Sequence, residues 1–410
     1  MSRLPDSRPE RLLLNLSPWP HLIESGSLLF TVHVPNLILS FASGLLIPVL
    51  PLFVGEFGIG YGLIGLALAG EAMGTLVTDL PAGILLRQFD RKWVMVVGVA
   101  LVGGSVLVLV WTSAVWQVIL LRILAGAGSA LWNLSRHAFI TEATHLRRRG
   151  RELALFGGLS RAGMFVGPAV GGLVAGVFGL RSTFLLHALL AAVVLGVAFT
   201  AIRRVERRPA VRSSSGTALA RVFRDYSRVL APAGLGQLLA QTIRAGRRVI
   251  IPLYGADVLG LGVEAVGWVV SAAALLDMAM FYPAGLVMDR FGRKYAIVPS
   301  FLIQGIGMAL IPVAGSFAGL LVVGGLIGIG NGLGSGSMMT LGADLAPKEA
   351  LGEFLGIWRL IGDSGSSAGP LFVGIIAAAA GLSLTAPLIG MVGLGAATIF
   401  TFRVPETLRA

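Results

Sequence analysis

The sequence contains no cysteine. Disulfides, thiolate nucleophiles and cysteine-based metal sites are therefore excluded. Charge is scarce as well: Asp, Glu, Lys and Arg make up 13% of the 410 residues, about half the share of a soluble domain. A water-soluble globule of this composition would lack a polar surface. Histidine is rare, with five copies. His33 and His187 have no metal-like partner at i+3 or i+4, so both read as structural. The glycine-rich run 324–336 lacks a Gly-Lys-Ser/Thr ending, so it reads as a helix-packing stretch and not a phosphate loop. No Walker motif occurs elsewhere, which excludes ATP hydrolysis as this chain's energy source. No catalytic cluster such as Ser-His or His-x-x-x-His-Glu is found. The expectation is a protein without cofactor or metal that is not an enzyme.

What is present is apolar. Hydrophobic residues make up 55% of the chain and Gly contributes 57 positions. Small residues let membrane helices approach closely. Apolar runs of about 20 residues predict membrane spans. Twelve are found, near 28–54, 62–86, 93–112, 115–140, 152–177, 182–202, 231–254, 264–288, 295–314, 317–343, 352–379 and 383–402. The fold class predicted is all-α, with twelve transmembrane helices in two six-helix halves. Residues 1–27 carry Arg3, Arg8 and Arg11 but no cleavable signal pattern, so they read as a cytoplasmic N-terminus.

The net charge of +12 would suit a nucleic-acid binder, but its distribution does not. Nearly all Lys and Arg outside the spans fall in the loops of one face, and the loops of the other face hold only Arg181. The positive-inside rule then puts both termini in the cytoplasm of a multi-pass protein of the plasma membrane. The basic charge records topology and contact with the lipid bilayer; no nucleic acid is expected.

Residues 203–230 form the one long polar stretch, with eight arginines around Ser213-Ser214-Ser215-Gly216. They read as a cytoplasmic linker between bundles at 28–202 and 231–402, with 403–410 as a cytoplasmic tail. A single offset of 202 residues carries Pro81 onto Pro283, Gly83 onto Gly285, Arg91-Lys92 onto Arg293-Lys294, Gly126 and Gly128 onto Gly328 and Gly330, Glu142 onto Asp344, and Gly167-Pro168 onto Gly369-Pro370. A register held over four helices indicates a parallel internal repeat, a usual build of secondary transporters.

Two motifs then acquire a context. Gly285-Leu-Val-Met-Asp289-Arg290-Phe-Gly292-Arg293-Lys294 resembles the loop between the second and third helices, and its repeat, in the major facilitator superfamily. Gly163-Met-Phe-Val-Gly167-Pro168-Ala-Val-Gly171-Gly172 in span 5 resembles the antiporter motif of that superfamily's drug–proton branch. Arg122-x-x-x-Gly126 is similar to that branch's fourth-helix motif, although Ala125 stands where Gln is frequent. The resemblance implies alternating access, with helices 1, 4, 7 and 10 around a central cavity. The first loop departs from the pattern: Arg87 replaces the acid of Gly83-Ile-Leu-Leu-Arg87, and Asp90 replaces the glycine before Arg91. A cation at the start of helix 11 is unfavourable; Glu353, in the first turn there, offers Arg87 a partner.

Charges inside spans cost ~3 kcal/mol or more at mid-membrane unless paired or hydrated. The acids are Glu71, Asp79, Asp277 and Asp363. The bases are Arg122, Arg136, Arg161, Arg244, Arg247, Arg248 and Arg359. Arg122, Ser129, Asn133 and Arg136 share one face of span 4. Gln237, Gln241, Arg244 and Arg248 share one face of span 7. Asn331 and Ser335 mark span 10, and Asn36, Ser40 and Ser43 mark span 1. These stripes predict a substrate cavity. Glu71 and Asp277 are the candidate proton carriers, with Arg122 and Arg244 as counter-charges. Arg359 and Asp363, four apart, predict an intrahelical pair, with an Arg161–Asp363 pair between spans 5 and 11 as the competing arrangement. Asp79 is expected to gate, Arg136 to be solvated, and Gly163, Gly167, Gly171 and Pro168 to form a hinge that slides on the other half.

The predicted function is proton-coupled efflux of a small-molecule substrate by a monomeric antiporter. Uptake of a sugar or organic anion by the same fold is the alternative. A lipid scramblase, receptor or intramembrane enzyme is the alternative of another class.

Overall fold

The computed structural model describes residues 29–143, 146–201 and 222–408. The predicted N-terminus and most of the 203–230 linker fall outside these residues. Within them the chain is helical. Bilayer interiors offer no water to backbone N–H and C=O groups, and helices satisfy those groups internally.

The helices are α1 (Val34–Gly55), α2 (Tyr61–Gln88), α3 (Arg91–Val108), α4 (Val115–Ala143), α5 (Leu146–Phe178), α6 (Leu180–Ala201), α7 (Ser227–Leu253), α8 (Val263–Arg290) and α9 (Lys294–Leu310). Next, α10 runs over Phe317–Leu333, breaks at residues 334–336 and resumes over Ser337–Leu345. The final helical stretch, Leu351–Phe402, reverses at Gly381, whose φ of 76° and ψ of 164° no helix accommodates. It supplies α11 (351–380) and α12 (382–402). Among the described residues, ten stretches are long and apolar enough to cross a membrane, the last of them spanning 55 residues. Division at Gly381 gives an eleventh. The twelfth is α7, which Gln237, Gln241, Arg244, Arg247 and Arg248 make more polar than the others.

The twelve helices form two similar bundles. In the first, α1 packs on α5, α2 on α4, and α3 on α4 and α6. In the last six, α8 packs on α10 and α9 on α10. Gly365 and Gly369 of α11 lie against Leu238 and Thr242 of α7, and Gly390 of α12 against Gly305 of α9. The same neighbours recur six helices later, as a duplication requires. Large apolar side chains such as Phe178, Leu189, Tyr282 and Met339 point outward, where lipid would cover them.

Two seams join the bundles, α2 with α11 and α5 with α8. Both are closest at the end opposite the charged loops, here termed the far end. A Cβ on Gly65 would lie 2.5 Å from the Pro370 carbonyl oxygen, and one on Gly267 would lie 2.5 Å from that of Pro168. The ends of α1 and α7 join there in one apolar core, with Leu50, Phe53 and Val54 alongside Ile250, Leu253 and Tyr254. Toward the charged loops the seams slacken. Gly83, Gly157, Gly158, Gly285, Gly352 and Gly356, on the same four helices, face open space.

Candidate functional site: the central cavity

A cavity of about 700 Å³ lies between the bundles. All four predicted stripes reach it, through Ser40 and Ser43 of α1, Arg122 and Asn133 of α4, Gln241 and Arg244 of α7, and Asn331 of α10. Helices α2, α5, α6 and α11 contribute Glu71, Arg161, His187 and Asp363.

On the first bundle's side, the Arg122 guanidinium donates to the Glu71 carboxylate, and Ser129 Oγ donates to the other carboxylate oxygen at 3.4 Å. His187 is buried in the same wall. Nearer the charged loops, Arg136 Nη1 donates to Asn36 Oδ1 at 2.5 Å and Nη2 to Asn133 Oδ1 at 2.8 Å. Its guanidinium stacks 4.2 Å from the Phe156 ring centroid. Arg136 is 7% exposed. The expectation of a solvated side chain is therefore wrong: two amides and an aromatic face replace water around the cation. His33 is paired as well: its Nε2 lies 2.8 Å from Glu152 Oε2.

The second bundle centres on Asp277 of α8. Arg161 Nη1, on α5 of the first bundle, donates to Asp277 Oδ1 at 2.8 Å. Asn331 Nδ2 donates to Oδ2 at 2.6 Å, and Arg247 Nη2 stands 3.7 Å from the same oxygen. Arg244, the predicted counter-charge, turns elsewhere. Its Nη2 donates to the Gly334 carbonyl at 2.9 Å, and its guanidinium lies 5.1 Å from the Phe301 centroid. The break in α10 exposes that carbonyl, and Gly336, at φ 74°, makes the turn that a Cβ would strain. Arg247, absent from the predicted stripe, and Arg161 hold Asp277 instead.

This arrangement can be compared with known proteins. The sequence model of the Major Facilitator Superfamily matches residues 36–243 and again 233–410. The chain belongs to the major facilitator superfamily. It is a multi-pass membrane transporter and not an enzyme. An uncharacterized MFS-type transporter of Methanocaldococcus jannaschii is 20% identical, over 86% of this chain and 92% of that protein. The multidrug resistance protein MdtH of Aeromonas hydrophila is 25% identical, over 75% and 77%. Among solved structures, a bacterial homologue of the human lysosomal transporter Spinster, inward-facing and occupied, superposes with a TM-score of 0.79 at 13% identity, covering 92% of this chain and 96% of that one.

In this superfamily member the loop motif is built as follows. Asp90 caps α3 by accepting from Lys92 N at 2.9 Å. In the second copy, Gly292 adopts φ 119°, and Arg293 Nε donates to Asp344 at 2.9 Å. Arg293 also lies 3.7 Å from Asp289, which is otherwise exposed. Arg290 lies against Phe291. The Arg87 side chain is outside the described residues, so the proposed pair with Glu353 is too; Arg91 is paired by contacts of its own.

Two further placements differ from expectation. Gly163, Gly167 and Gly171 pack on Phe41, Gly44 and Leu45 of α1 in the same bundle. The face that meets the other bundle carries Pro168 and Gly172 against Val263 and Gly267. One-residue steps turn a helix by about 100°, so the motif presents two faces and the sequence reading chose the wrong one for the seam. Gln237 is buried against Gly362 of α11, away from the cavity. Arg359 forms the expected pair with Asp363 at 3.5 Å and adds a partner across the seam, with Nη2 donating to Asp79 Oδ1 at 3.0 Å. The competing Arg161–Asp363 pair is not formed, because Arg161 is taken by Asp277.

Proposed function

We propose that this transporter exports small molecules across the cytoplasmic membrane in exchange for protons. Its charged loops and both termini face the cytoplasm, and the arrangement described is inward-facing. Relatives named as multidrug resistance proteins support the direction. The observation that carries the coupling is the Arg161–Asp277 bridge. It joins the two bundles at the cavity wall, and alternating access must change how the bundles meet there. Asp277 faces Arg161 from α5, Arg247 from α7 and Asn331 from α10. A proton on its carboxyl removes the charge that holds Arg161, so proton binding and release would unlock and relock the bundles. Glu71 and Arg122 form a second acid–base pair, but both belong to the first bundle and their pairing need not change in that motion.

The test uses reconstituted vesicles with an acid lumen and two fluorescent probes, 5-carboxyfluorescein and ethidium. Accumulation of either probe should follow the pH gradient and should lose that dependence in Asp277→Asn. Gradient-dependent accumulation that is unchanged in Asp277→Asn removes the coupling role. A second reading, uptake of an organic anion with a proton, is favoured by the arginine surplus of the cavity. It would show as probe accumulation under an alkaline lumen.

A further inference from the structure

The cavity wall carries Arg122, Arg136, Arg161, Arg244, Arg247 and Arg248 against two carboxylates, Glu71 and Asp363, with Asp277 behind it on Arg161 and Arg247. The pairings are uneven. Arg122 has Glu71, and Arg161 and Arg247 share Asp277. Asp363 is approached by Arg359 from its own helix. Arg136 is held by two amides and an aromatic ring. Among the described residues, no carboxylate lies within 4 Å of Arg244 or Arg248. Arg244 has only a backbone carbonyl and a ring, and its Nε is buried without a partner. Arg248 is exposed to the cavity. One helical turn separates the two, so their side chains start about 6 Å apart on one face of α7.

The break in α10 reinforces this. Ser335 and Gly336 line the same wall, and the second segment begins at Ser337. Helix N-termini carry partial positive charge. The opposing negative end of the first segment is met by Arg244 on the Gly334 carbonyl. Apolar lining comes from Leu46, Ile47, Leu50 and Pro51 of α1.

We infer that the substrate is an organic anion with a hydrocarbon body. Its carboxylate or phosphate lies between Arg244 and Arg248 beside the α10 break, and its body lies along α1. The ligand supplies the negative charge that α7 lacks. Because Arg161 and Arg247 are held by Asp277, the anion and the bridge draw on different cations. This rests on the exchange reading above and adds a consequence. Expelling a monoanion against an incoming proton moves two charges in the same direction, so an inside-negative membrane potential drives the cycle. Uptake of the same anion with one proton would be electroneutral.

The test titrates purified protein at fixed pH with 4-phenylbutyrate and 4-phenylbutylamine, which share a hydrocarbon body and differ in charge. The anion should bind at least about tenfold tighter, the scale of one charge-assisted hydrogen bond. Arg244→Gln and Arg248→Gln should each lower anion affinity by about tenfold and leave the weak amine binding unmoved. Arg248→Gln removes a side chain that faces the cavity, so it tests the site even where Arg244→Gln fails to fold. Equal or tighter binding of the amine, absence of saturable anion binding, or anion affinity unaffected by Arg248→Gln overturns the inference. Adding phosphatidylglycerol to the micelles separates the two sources of such a headgroup. Unchanged phenylbutyrate affinity supports a soluble anion, and displacement by lipid overturns it. In vesicles with an acid lumen, a lumen-positive potential set with valinomycin should accelerate phenylbutyrate entry. Anion-selective binding with pH-independent flux would sink the exchange reading and leave the substrate class standing. Amine-selective binding with pH-driven flux would do the reverse.

Discussion

Arg359 of α11 crosses to α2 and meets Asp79: Nη2 donates to Oδ1 at 3.0 Å, and Nε stands 2.9 Å from Oδ2 as an ion pair. The two residues belong to different bundles, and their seam is otherwise slack toward the charged loops. The Asp79 side chain is 8% exposed and that of Arg359 is 40% exposed. Removing the cation would leave a buried carboxylate next to a second one, Asp363. Arg359→Gln should therefore cost about 1–3 kcal/mol, less than a fully buried pair because Arg359 is half in water. Asp79→Asn should cost less, since Arg359 keeps Asp363. Exchanging the charges, Asp79→Arg with Arg359→Asp, should recover part of the loss. Thermal unfolding in detergent and vesicle flux measure both effects. Additive losses in the exchange would remove the bridge from the seam.

The spans, the repeat and the Glu71–Arg122 pair were legible because each rests on information along the chain. Those two residues are an acid and a base inside spans 2 and 4, where a charge without a partner is costly. What was not legible depends on helix rotation. Arg244 and Arg247 are three residues apart on α7, and which of them reaches Asp277 is set by how α7 turns against α8. The glycine stripe of α5 announced a close contact without naming its neighbour. Arg161 carried a signal, as a charge in span 5 two residues before the glycine motif, but the repeat register offered it Asp363 and not Asp277.

Gly126 of α4 tests the contact that sets up the first acid–base pair. A Cβ there would lie 2.0 Å from the carbonyl oxygen of Glu71 itself. Backbone cannot step aside as a side chain can, so Gly126→Ala should push α2 from α4 and cost about 1–3 kcal/mol. Gly83→Ala and Gly285→Ala, in the loop motif helices, meet nothing within 4 Å. They should be neutral or stabilising by about 0.5–1 kcal/mol. Melting temperatures of the three variants decide it, and equal shifts would show that helix propensity rather than packing governs.

Glu406, in the tail, braces the second loop motif. Its Oε1 accepts from Arg293 N at 2.9 Å and its Oε2 from Lys294 N at 2.9 Å. Partial burial works against its charge, but the N–H groups of Leu408, Lys294, Arg293 and Thr407 outweigh that and hold its pKa below the ordinary glutamate value. The unfolded chain therefore binds this proton more tightly. The stabilisation is whole above the free value of about 4.3 and is lost as pH falls through the lower folded value. Glu406→Gln should lower the melting temperature at pH 7 by about a degree or two. The gap from wild type should close in acid below the glutamate range. A gap that persists there would assign the effect to shape and not charge.

The orientation of the whole assembly is testable because the chain has no cysteine, so one introduced thiol gives one label. Ser214 lies in the arginine-rich linker, and Gly262 is the exposed residue preceding α8 at the far end. Lys and Arg near membrane helices are retained on the cytoplasmic side, and the linker holds more arginine than any other loop. Ser214→Cys should stay unlabelled by an impermeant maleimide in intact cells and react once the membrane is opened. Gly262→Cys should react in intact cells. The reverse pattern would turn the transporter over. The slack seams and the cavity would then open outward, and the export reading would have to begin from an outward-facing state.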